Sequence, residues 1–78
     1  MEVKLSELKP GEEGIVVRVE GSPALRRRLM EMGIVRGTRI RMVRKAPLGD
    51  PIEYEVKGYN LSLRAREADG VYVEVVRP

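Results

Sequence analysis

Apolar residues recur at every second position in short bursts along this chain, and turn-forming residues separate most of the bursts. In IVVRV, Ile15, Val17 and Val19 share one face while Val16 and Arg18 take the other. Ile40 and Met42 then alternate with Arg39 and Arg41, and Ile52, Tyr54 and Val56 with Glu53 and Glu55. Leu61 and Leu63 begin a fourth run, and Val71, Val73 and Val75 share a face of the fifth. A period of two is the repeat of a half-buried strand. Short strands parted by turn residues define a mainly β fold, a small barrel of about five strands whose closure hides its edges.

One stretch breaks the pattern. Gly21-Ser22-Pro23 supplies a turn, an N-cap and a proline at the first helical position. Leu25, Leu29 and Met32 then follow at helical spacing, and Gly33 stands where a left-handed residue ends a helix. One short α-helix is therefore inserted after the first strand, with Arg26, Arg27 and Glu31 facing solvent and the stem of Arg28 along the core edge. Val3 to Leu8, with Ser6 as its cap, reads as a helical turn that plugs one end of the core, and Glu12-Glu13-Gly14 as a break before the strand. Arg64 to Ala68 reads as a single helical turn.

The alternation in Thr38–Lys45 falters at Val43, where a bulge keeps Arg44 off the buried face. Pairing of this strand with Ile52–Val56 sets outward arginines across from outward glutamates, at roughly 0.2 to 1 kcal/mol per pair.

With 78 residues the chain reads as one domain, residues 1–78, whose core is small and built from Val, Ile, Leu and Met, since Phe and Trp are absent. There is no Cys and no His. Disulfides, thiolate and imidazole metal ligands and every nucleophile–His pair are thereby removed, so the chain is read as a non-enzyme without cofactor or metal site. No apolar run reaches bilayer length and no signal-peptide pattern is present, which points to a soluble cytoplasmic protein. A charged fraction of 35% with no Gln and one Asn is the bias expected of a thermophilic source.

Charge is distributed unevenly. Residues 26 to 45 carry eight basic groups against one acid, Glu31, whereas the remainder carries seven basic and eleven acidic groups. Arg26, Arg27, Arg36, Arg39 and Arg41 form a basic flank suited to nucleic acid, an anionic membrane, a nucleotide or an acidic protein face. Tyr54 is expected inside, leaving Tyr59 and Tyr72 as the only aromatics for stacking. An acidic protein surface or the membrane-proximal face of a transporter therefore fits better than nucleic acid.

The turn after the bulged strand reads APLGDP. Pro47 and Pro51 stiffen it, Gly49 permits an unusual dihedral, Asp50 bonds its own backbone, and Leu48 is offered as an apolar anchor. Met30 lies off the apolar stripe of the helix and is expected at the surface as a further contact, whereas Met32 and Met42 belong to the core. Asp50, Glu53, Glu55, Glu67 and Asp69 match no cation-binding loop, and ordinary surface charge accounts for them. The candidate partner surface is thus Met30, Pro47, Leu48, Gly49, Asp50 and Pro51, a docking edge running from Leu29 to Pro51 with a basic flank.

Four segments taken together, Arg28–Ile34 (RLMEMGI), Gly37-Thr38, Ala46–Pro51 (APLGDP) and Leu61–Ala68 (LSLRAREA), resemble the FeoA-type ferrous iron transport proteins over nearly the whole chain. The resemblance implies an SH3-like barrel and a cytosolic accessory in transition-metal uptake. It also implies a FeoB-type partner, a membrane iron transporter with a GTPase domain, through which the chain would be peripheral to the membrane; weak self-association is compatible with this. A stand-alone relative of the SH3-like module of metal-dependent repressors and a small basic barrel for nucleic acid are the alternatives.

Overall fold

The computed structural model describes residues 1–77. Six antiparallel strands form one bent sheet in the order β1-β6-β2-β3-β4-β5: β1 Glu2–Lys4, β2 Glu13–Val19, β3 Arg39–Lys45, β4 Ile52–Val56, β5 Tyr59–Leu63 and β6 Val71–Val76. Helix α1, Pro23–Glu31, joins β2 to β3, and the short α2, Ala65–Ala68, joins β5 to β6. The fold is mainly β and SH3-like, with one strand more than the alternation suggests. That strand, β1, lies inside the stretch read as a helical turn: Glu2–Lys4 pairs with β6, and only Leu5–Glu7 turns as a 3-10 segment.

The first long strand also differs in phase. Val16 is buried, Ile15 and Val17 are half-buried, and β2 already begins at Glu13. A register shift between Val16 and Arg18 against β6 resets which side chains point inward. Within a run of valines such an extra residue leaves no trace in the pattern. The bulge expected at Val43 is present, between Met42 and Arg44 against β4.

Ile40, Met42, Ile52, Tyr54, Val56, Leu63, Val71 and Val73 meet in the centre, with Leu29 of α1 covering one side. Leu5 and Leu8 plug the end, and the buried Tyr54 hydroxyl donates to the Leu5 carbonyl at 3.2 Å, fastening the plug to β4. Gly14 is buried where a methyl group would lie 2.6 Å from Val73 Cγ2, so β2 and β6 pack closer there than a side chain allows.

The Ser22 hydroxyl accepts the Leu25 N–H at 3.1 Å and Pro23 opens α1, as the start signals require. Gly33, at φ +88, ends the helix, and the Thr38 hydroxyl donates to the Gly33 carbonyl at 3.0 Å to close the turn into β3. Lys57 and Gly58, both with positive φ, make the two-residue turn between β4 and β5. Among the described residues no helix is long and apolar enough to cross a membrane.

Candidate docking surface

The β3–β4 turn is built from its own backbone. Ala46 N–H donates to the Pro51 carbonyl at 2.9 Å and Gly49 N–H to the Ala46 carbonyl at 2.7 Å, with Gly49 at φ +89. Leu48 sits at the tip with 98% of its surface exposed, and among the described residues nothing covers it. Asp50 behaves otherwise than its turn position suggests. Its carboxylate does not bond its own backbone but accepts the Ala65 N–H at 2.9 Å, with Arg64 Nη1 3.9 Å away. An aspartate side chain reaches whichever orphan donor is nearest, and here that is the first turn of α2.

Met30 is exposed, as its place off the helical stripe requires, and lines a groove with Pro23, Val19, Ile34, Val35 and the arginines 26, 27 and 36. This groove and the Leu48 tip lie at opposite ends of the β3–β4 hairpin. The carboxy-terminal end of α1 abuts the Lys57–Gly58 turn, with Tyr59 Oη donating to the Met32 carbonyl, while Leu48 caps the other end. Seven residues of β3 separate the two, about 20 Å at strand rise. The continuous edge expected from Leu29 to Pro51 is therefore two surfaces.

The basic flank divides as well. Arg39 Nε bonds Glu13 at 2.5 Å, Arg41 bonds Glu55 at 2.5 Å, and Arg44 bonds Glu53 at 2.8 Å, so the β3 arginines are neutralised by the neighbouring strands. Arg39 turns to β2 rather than to the β4 glutamates, because β3 is flanked on both sides. Among the described residues Arg26, Arg27 and Arg36 have no carboxylate within ion-pair distance. Arg28 pairs with Glu67 instead of lying along the core edge alone. Among the described residues no group of three or more acidic side chains is disposed to hold a metal ion.

Strand β5 lies at a sheet edge and its sequence, YNLSL, has no charged residue, unlike each of the other five strands. The signal was legible as a lack of charge, once the strand order is known.

Sheet order, bulge positions, the inserted helix and the plugged end define a small SH3-like β domain. The FeoA domain family model matches residues 3–75, and the chain belongs to that family. A Fe(2+) transport protein A/Fe(2+) transporter FeoB fusion protein of Porphyromonas gingivalis is 45% identical over 74 residues, which are 95% of this chain and 9% of that protein. The solution structure of FeoA from Chlorobium tepidum superposes with a TM-score of 0.91 at 48% identity, covering 96% of this chain and 71% of that one. A zinc-complexed FeoA of Stenotrophomonas maltophilia, a prokaryotic SH3 domain protein, gives 0.78 at 37% identity, covering 95% and 89%. A manganese-dependent transcriptional repressor, at 21% identity and a TM-score of 0.89, shares the fold alone.

Proposed function

We propose that this domain is a non-enzymatic cytoplasmic accessory of ferrous iron uptake that docks on a FeoB-type transporter and modulates its activity. The observation that carries this reading is the Porphyromonas gingivalis relative, in which a domain 45% identical to this chain is fused to the transporter in one polypeptide. Fusion holds two domains at high effective concentration, which favours contact between their surfaces. Leu48 supports such a surface. A leucine exposed over 98% of its area on a turn closed by two backbone hydrogen bonds presents an apolar anchor at little ordering cost. The arginines beside Met30, which have no carboxylate within ion-pair distance among the described residues, supply a second, electrostatic component that speeds encounter with an acidic face.

The test is a binding titration of this protein against the cytosolic GTPase domain of the FeoB-type transporter from the same source, in both nucleotide states, and against the full-length transporter in detergent. Saturable binding to either is the expected result. No interaction with either would remove the reading.

A further inference from the structure

The sheet does not close on itself to hide its edges as the alternation suggests: β1 and β5 are not paired with each other, so two edges remain, and the chain treats them differently. The β1 edge is three residues long and carries Glu2 and Lys4, the charged, short form that discourages strand addition. The β5 edge carries none of these protections. Tyr59–Leu63 has no charge and no proline, and its pairing with β4 runs without a register shift from Val56–Tyr59 to Ile52–Leu63. Among the described residues no backbone hydrogen bond reaches β5 from its outer side. In an antiparallel edge strand roughly half of the N–H and C=O groups point away from the neighbour and remain open to a new strand.

This edge is also held in place at both ends. Tyr59 Oη donates to the Met32 carbonyl at the end of α1, and just past Leu63 the Ala65 N–H is held by Asp50. A template fixed in the extended form binds without first being ordered.

We infer that the outer edge of β5 is a strand-addition site for an extended segment of a protein partner, with acidic residues at its ends and alternating apolar residues between them. Charge specifies the ends. Lys57 precedes the strand without a carboxylate in ion-pair range among the described residues, and Arg64 follows it with only Asp50, 3.9 Å away, as partner. The alternation comes from β5 itself, where Tyr59, Leu61 and Leu63 share one side in increasing burial while Asn60 and Ser62 are exposed on the other. A second copy of this chain fits poorly. Antiparallel pairing centred on Leu61 would set Gly58 opposite the copy's Arg64 and bring Lys57 close to the same cation, at both ends. The site is independent of the Leu48 tip and of the transporter as partner, so it stands or falls separately from the function proposed above.

The test uses the intact protein and a synthetic peptide, Glu-Val-Thr-Val-Thr-Val-Glu, capped at both ends. Nuclear magnetic resonance should show saturable shifts and slowed amide exchange within Tyr59–Leu63. N-methylation of alternate peptide residues, made in both phases, should weaken binding by about tenfold or more in one phase only, because one set of amides faces the strand. Lysine in place of the terminal glutamates should weaken binding at low salt, and Lys57→Glu, at an exposed turn position, should weaken it likewise while leaving the spectrum of the fold intact. Equal binding of both N-methylated peptides, shifts confined to other strands, no binding at all, or protection of β5 that grows with protein concentration without peptide would each overturn the inference, the last by assigning the edge to self-association.

Discussion

The Asp50 carboxylate accepts the backbone N–H of Ala65 at 2.9 Å, tying the tip of the β3–β4 hairpin to the first turn of α2 fifteen residues away. Replacement of Asp50 by Ala removes the acceptor of an otherwise orphaned helix N–H. The expected loss is about 1 kcal/mol, the usual value of such a cap. It is read as a lower urea midpoint with an unchanged slope. An unchanged midpoint would mean that water serves the Ala65 amide equally well.

Leu48→Asp should separate binding from folding. The side chain is 98% exposed, so stability should stay within about 0.5 kcal/mol of the parent protein. Affinity for the FeoB-type transporter should fall by about tenfold or more if this leucine anchors the contact. Thermal melts and the binding titration together check both halves, and parental affinity in a folded variant would discard Leu48 as the anchor.

Tyr54 is buried, and desolvation, with a smaller contribution from the negative charge of Asp69, raises its phenol pKa above the ordinary value near 10. The folded state holds the proton where the unfolded chain releases it. The contribution is therefore complete below pH ~10 and falls as pH rises beyond it, by up to about 1.4 kcal/mol per pH unit. Tyr54→Phe should abolish this part of the alkaline loss. At neutral pH the same change leaves the buried Leu5 carbonyl without its donor, at about 1 to 3 kcal/mol. Urea melts of both proteins at pH 7 and pH 11 test the pair; parallel alkaline losses would contradict the assignment.

Gly14→Ala should destabilise by about 1 to 3 kcal/mol, because the added methyl meets the stiff, β-branched Val73 and one strand must shift. Val73→Ala in the same chain should recover part of the loss, so a double-mutant cycle reads the contact directly. Additive losses would show that the glycine serves some other need.

The parts of the fold legible from sequence are those set by neighbours in the chain. Ser22, Pro23 and Gly33 bracket α1 through local backbone chemistry, and the β3–β4 register follows from Arg41 and Arg44 facing Glu55 and Glu53. Strand β1 was not legible, because EVK gains its conformation only from β6 at the far end of the chain. The alternation in IVVRV separates two faces but does not say that Val16 is the buried one, since a bulge among valines changes phase without changing composition. The spacing of the candidate surface residues is likewise set by structure far from them in the chain. Met30 and Leu48 are near in sequence, but a strand lies between them, and an extended segment is the most efficient way for a chain to separate its own residues. Exposure of both was legible from their local settings; the destination of the Asp50 side chain was not, because its partner lies beyond two further strands.

The strand order bears on how the molecule assembles. Strands β3, β4 and β5 form a meander through short turns, whereas β6 must pair with β2 and with β1, bringing Glu74 beside Glu2. Loop closure over such a span is entropically unfavourable and slows formation of the transition state. The meander is thus the natural nucleus, and the sheet is completed only when β6 slides between the two amino-terminal strands. Substitutions in β4 should then retard folding, whereas those in β1 should chiefly hasten unfolding, a division that stopped-flow kinetics would register.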